Sequence, residues 1–206
     1  MAQVLKEELR ARILQAAGSE FAARGFAAAR LADIARQAGT TASNLYKYAP
    51  DKEALFLQVV PPELAARHMD LLRARLAGFE QGEAWTSLTA DESAAAAGLL
   101  AFWASHRHAV AILMSNAHGT RYETMRERMI EEMATRAMLR FPRGNDPALA
   151  FVLRRIFSAT LDTISAILRE YERPEDIGEA IRHFWRFQLA GLQALLVEGS
   201  RETGQT

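Results

Sequence analysis

Apolar residues recur at spacings of three and four along nearly the whole chain, and no sustained period-two run bounded by turns appears. The pattern predicts an all-α protein of about nine helices. The first spans Gln3 to Arg24, with Leu5, Leu9, Ile13, Ala16, Ala17 and Phe21 on its apolar stripe and Gly25 as its stop. Leu31, Ile34, Ala35 and Ala38 form a short second face that Gly39 closes. Thr40 and Thr41 then offer a hydroxyl N-cap for a third helix, Ala42 to about Ala49, with Leu45 and Tyr48 on its inner side. Asp51 caps a fourth, bearing Leu55, Phe56, Val59 and Val60 before it meets Pro61-Pro62. An interior proline costs ~3 kcal/mol or more, so this helix must kink or restart there; its pattern resumes at Leu64, Met69, Leu72 and Leu76.

Gly78 to Ala90 reads as a loop, and Thr89 with Glu92 as a capping box for a helix that is apolar nearly all round, Ala94 to Ala104. Such a helix belongs in the middle of a bundle. His106-Arg107-His108 marks a break before Val110 to Met114. A second capping box, Thr120 and Glu123, opens a helix running to about Phe141, and Pro142, Gly144 and Asn145 form a turn. Asp146 as N-cap and Pro147 at N1 open a long helix to about Glu172; Pro174 opens another, ended by Gly199. On this last helix Phe187, Ala190, Gly191 and Ala194 form a second stripe beside the leucines. One monomer core cannot use both stripes. The expectation is a two-fold dimer in which the last two helices pair as a four-helix bundle, with Thr163 also at the interface. A three-layer monomer that buries both faces is the alternative.

The stretch from Leu31 to Lys52 has helix-turn-helix geometry: two short helices meet at Gly39, and Ala35 is small enough to let them cross closely. In that geometry the second helix enters the DNA major groove. Its outer face carries Ala42, Ser43, Asn44, Tyr46 and Lys47, which are short or polar apart from the tyrosine ring. Asn bonds adenine bidentately, while hydroxyls and Lys suit phosphates or base edges.

The run I-A-R-Q-A-G-T-T-A-S-N-L-Y-K-Y, followed by D-K-E-A-L-F and preceded by R-I-L-Q-A-A-G-S-E-F-A-A-R-G-F, resembles the DNA-binding head of the TetR-family repressors. The resemblance covers roughly the first 60 residues. Three positions depart from the family pattern: Ala29 stands where Thr is usual, Ser43 where Gly is frequent, and Ala49 where Phe is usual. The resemblance implies a helix-turn-helix head at 1–50 and a ligand-binding and dimerising body at 51–206, with 51–77 as the connecting helix. It implies contacts to a pseudo-palindromic double-stranded DNA operator from Arg30, Thr41, Ala42, Ser43, Asn44, Tyr46, Lys47, Tyr48 and Lys52. It also implies a small-molecule effector in the body, and a repressor that the effector releases. Trp103, His108, Met114, His118, Tyr122, Met125, Met129 and Phe157 are the candidate lining, since methionines and aromatics make an adaptable wall. The Pro61-Pro62 step is the candidate hinge between the two parts.

Composition narrows the alternatives. The 206 residues carry 25 basic and 25 acidic side chains, so bulk charge does not select a nucleic-acid partner. Residues 1–55 hold eight Lys/Arg and six Asp/Glu, an excess too small to matter. DNA affinity must come from placed contacts. With no cysteine there is no disulfide framework and no Cys-based zinc site, which fits a cytoplasmic protein. The longest apolar run, Ala94 to Ala104, falls well short of the ~20 residues of a membrane span. His106 and His108 point to different sides of a helix, and His68, His118 and His183 stand alone, so no metal is expected and no cofactor is implied. No GxSxG or phosphate-binding glycine loop nominates catalysis, and the chain is not expected to be an enzyme. A helical small-molecule-binding protein or enzyme without a DNA role remains the alternative.

Overall fold

The computed structural model describes residues 2–80, 93–140 and 146–201, and among these the regular structure is helical throughout. Helix α1 covers Ala2–Ala28, but Gly25 interrupts it at φ 77° and ψ 166°, a backbone state only glycine adopts without strain. The break therefore falls at the residue that the sequence marks. Helix α2 is Leu31–Gln37. It ends in a Schellman motif: Gly39, at φ 69°, donates its N–H to the Arg36 carbonyl, and Thr40 to the Ala35 carbonyl. Helix α3 is Ala42–Leu45, shorter than expected. Its coil continues as a looser turn in which Tyr48 N–H reaches the Leu45 carbonyl at 2.8 Å.

Helices α4 (Lys52–Val59) and α5 (Pro62–Glu80) are separate. Asp51 caps α4 by accepting from Ala54 N–H at 2.7 Å. At its other end Val60 leaves helical geometry (φ −123°, ψ 74°), and Pro62 restarts the chain at a first-turn position where its missing N–H is harmless. Of the kink or restart expected at Pro61-Pro62, the structure shows the restart, so the connecting segment 51–77 holds two helices.

In the body, α6 is Ala94–Ser105, α7 is Arg107–Ala111, and α7 runs directly into one π turn, Ile112–Asn116. Helices α8 (Met125–Met138), α9 (Pro147–Glu170) and α10 (Pro174–Arg201) complete the fold. Asp146 caps α9 as expected, accepting from Ala148 and Leu149 N–H. Several expectations are corrected. Ser93 caps α6, whereas the Thr89–Glu92 box and the 142–145 turn lie outside the described residues. The Thr120–Glu123 capping box does not form. Thr120 closes a turn behind the π segment by donating to the Ala117 carbonyl at 2.7 Å, which delays α8 to Met125. Helix α10 runs through Gly199 to Arg201. Nor is α6 enclosed on all sides: Ala96, Leu99, Leu100 and Trp103 are buried, while Ala94, Ala97, Gly98 and Ala101 face water. Alanine and glycine leave little apolar surface there, so the exposure costs little.

Head and body share one contiguous core. Phe56 of α4 meets Phe21 and Phe26 of α1 edge to face, with ring centroids 5.4 and 5.3 Å away, and Tyr122 from the body joins Phe56 at 6.2 Å. At Gly18 a Cβ would come within 3.0 Å of the His108 ring, so any larger residue there requires the ring to shift by a few tenths of an ångström.

Candidate nucleic-acid interface and body cavity

Helix α3 is held by its inner residues. Leu45 and Ala49 are fully buried beside Ile34 and Ala35 of α2. Thr41, in extended geometry, accepts from Asn44 N–H at 3.2 Å, and Gln58 of α4 donates to the Tyr48 carbonyl at 3.0 Å. These contacts fix which side turns outward. Ser43, Tyr46 and Lys47, at spacings of three and four, are exposed along that side, Tyr46 at 52 %. Thr41 and Arg30 are exposed next to it. Neither Arg30 nor Lys47 is in an ion pair with any described residue, so their charge is available. The Thr41 oxygen serves as the cap, yet its hydroxyl proton remains free to donate.

Four residues expected at the DNA face are placed differently. Ala42 and Tyr48 are half-buried against the core. Asn44 is also half-buried and its amide donates to Thr40 Oγ1 at 2.9 Å, so a bidentate grip on adenine would require it to leave that bond. Lys52 is engaged within the head. Its Nζ donates to the carbonyls of Ala27 and Ala29, both at 3.2 Å, and lies 4.7 Å from the centre of the Phe26 ring. The carbonyls at the end of α1 lack helical partners, and the lysine satisfies two of them. The sequence suggested that Lys52 completes an anion site; the structure makes it a strut between α1 and α4.

The body holds a cavity of about 70 Å³ among α5, α6, α8, α9, α10 and the π turn. It is narrow and mostly apolar. Of the expected lining, Trp103, Met114, Met129 and Phe157 border it. The other four do not. His108 fills the notch over Gly18, where burial first and the Arg107 charge second bring its pKa down to about 4, against the upward pull of Glu172. His118 is exposed, 3.8 Å from Glu123. Tyr122 donates its hydroxyl to the Val60 carbonyl at 3.1 Å, pinning the α4–α5 break, and burial raises its pKa. Met125 lines a separate shallow groove with Tyr122 and Arg128.

The polar members of the cavity were not anticipated. His68 and Arg75 of α5, Thr160 of α9 and Gln188 of α10 all border it. His68 is fully buried with neither ring nitrogen hydrogen-bonded, and burial holds it neutral with a pKa of about 4. The Trp103 indole N–H is likewise buried without an acceptor. The Arg75 guanidinium lies 5.4 Å over the Trp185 ring, and Gln188 donates to the Thr160 hydroxyl. The signal was present in the sequence: His68, Leu72 and Arg75 share one face of α5. Among the described residues no group of three or more His, Cys, Asp or Glu is placed to hold a metal, and no helix is long and apolar enough to cross a membrane.

Residues 13–59 match the family described as bacterial regulatory proteins, tetR family. Over 53 residues the chain is 42% identical to a protein of Bacillus subtilis (strain 168) described as an uncharacterized HTH-type transcriptional regulator, YdgC. That match spans 26% of this chain and only 27% of the relative's length. Two solved structures of NalD, the secondary repressor of the MexAB-OprM multidrug efflux pump in Pseudomonas aeruginosa, align with 88% and 87% of this chain and 96% of theirs, at 21% and 18% identity and TM-scores of 0.36 and 0.35. Scores this low say nothing about how the body is arranged. The head, from Ile13 to Val59, is therefore where the chain shows its kinship: these residues match the tetR family of bacterial regulatory proteins.

Proposed function

We propose that the protein is a cytoplasmic, sequence-specific DNA-binding transcriptional repressor, working as a homodimer and released by a small, mostly apolar effector. The observation that carries this reading is the outward side of α3. Ser43, Tyr46 and Lys47 are presented together, flanked by Arg30 and Thr41, on a helix anchored by fully buried Leu45. Hydroxyls and cations on such a helix suit phosphates and base edges in the major groove. The dimer is supported by α10, where Phe187 is 78 % exposed and Ala190, Gly191 and Ala194 lie exposed beside it. A large aromatic ring amid small side chains suits close packing against a second copy. Two-fold symmetry would then place two α3 helices about one DNA turn, ~34 Å, apart or at a multiple of that. The effector site is the body cavity. Release requires that the effector bind the DNA-incompetent arrangement better than the competent one.

A gel shift with the DNA flanking the protein's own gene tests the reading. The expected result is a complex that survives excess random DNA at moderate salt. If random DNA of equal length competes equally well, the DNA role fails and a helical small-molecule-binding protein is left.

A further inference from the structure

We propose that the body cavity takes a slender apolar molecule bearing a single carboxylate. This rests on the reading of the cavity as the effector site and adds the effector's chemical class. The walls are soft and apolar: Met114, Met129, Met133, Phe157 and Ile164 can reshape around a chain or small ring. The narrow open space favours a thin molecule over a bulky one.

The polar groups are strongly biased toward donors. The Trp103 indole N–H is buried without an acceptor, and neutral His68 carries one ring N–H that also finds none. Their ring centroids are 6.3 Å apart, close enough for one guest group in the cavity to reach both. Arg75, two turns along the same face of α5 from His68, brings a positive charge to the same space and is itself 95 % out of solvent. Trp103 and Trp185, with ring centroids 5.7 Å apart, bridge the two ends of this polar strip. No acidic residue is among the described residues that line the cavity. A buried donor left unmatched is costly, and a bond to a charged partner is stronger than one to a neutral partner. A carboxylate oxygen satisfies the Trp103 and His68 donors and is attracted by Arg75. An alcohol accepts a bond but gains nothing from the charge, and an ammonium is repelled by it.

The test uses chain-matched probes on the whole protein. Octanoate, 1-octanol and octylamine are titrated near neutral pH by calorimetry, with tryptophan fluorescence as a second readout. Octanoate is expected to bind about tenfold more tightly than octanol, or better, with octylamine weakest. Trp103→Phe, which keeps an aromatic ring in the wall and removes the N–H, should weaken octanoate about three- to tenfold. Arg75→Gln should erase the preference for octanoate over octanol. The wild-type ranking needs no variant, so a poorly folded substitution does not obscure the answer. Equal affinities, a preference for the alcohol or amine, or no binding of octanoate would overturn the proposal. DNA binding is measured without any of these probes, so failure here and failure of the DNA reading are told apart.

Discussion

Asn116, the last residue of the π turn, donates its side-chain amide to the carbonyl of Ala22 in α1. Two residues earlier Met114 borders the cavity, and its carbonyl is held by Arg126 at 2.6 Å. One five-residue segment thus touches both the cavity and the helix that carries the head. π turns of this kind are recurrent at functional sites. The segment makes a contact between body and head that does not pass through Pro61-Pro62, where Tyr122 already pins the Val60 carbonyl.

Asn116→Ala should therefore cost about 1 kcal/mol of stability in urea unfolding. It should also shrink the effect of octanoate on DNA affinity, while octanoate binding measured by calorimetry stays within about twofold of wild type, because Asn116 does not line the cavity. An unchanged octanoate effect on DNA would mean that this contact carries no effector signal.

Lys52→Ala should lower stability by about 1 kcal/mol, since it strips a charged donor from two helix-end carbonyls and from the Phe26 ring. Thermal melting of the DNA-free protein measures this. If Lys52 served only phosphate, the melt would not move.

Leu45→Ala and Lys47→Ala separate scaffold from surface. Leu45 is fully buried, and truncating it should cost about 2–5 kcal/mol. Lys47 is exposed, and its loss should leave the urea midpoint in place. Circular dichroism during urea unfolding reads both.

Stability should fall below neutral pH. His68 and His108 have pKa values lowered from 6.5 to about 4, in both cases chiefly by burial. Between those limits the unfolded chain binds protons that the folded chain refuses, so stability rises with pH there. It is full above about pH 6.5 and lost progressively toward about pH 4. His68 alone accounts for about 3 kcal/mol at most. Urea midpoints measured across this range should drop, and His68→Phe should flatten the slope.

Phe187→Glu should keep the fold and dissociate the proposed dimer, because the ring is 78 % exposed in a single copy. Sedimentation distinguishes a dimer-to-monomer shift from no change; an unchanged dimer would place the interface elsewhere.

The elements that local chemistry dictates were readable in the sequence. Gly25, Gly39, Asp51 and the Asp146-Pro147 pair mark helix ends because a positive φ, a side-chain cap or a missing N–H acts within a few residues. Leu45 inward with Ser43 and Lys47 outward follows from helical period alone. Most of what failed depended on neighbours distant in sequence. Lys52 was drawn to carbonyls at the end of α1 and Tyr122 to Val60, while Thr120 alone was drawn to a near neighbour, Ala117. The cavity's polar strip is not legible as an apolar stripe, because His68 and Arg75 are polar residues on the very face that Leu72 marks.

The salt dependence of DNA binding by the wild type and by Lys47→Ala tests the central claim most directly. If the exposed side of α3 lies against the duplex, removing the Lys47 charge weakens binding across sequences and reduces the slope of log affinity against log salt by about 0.9. Identical slopes and affinities for the two proteins would mean that α3 does not face DNA.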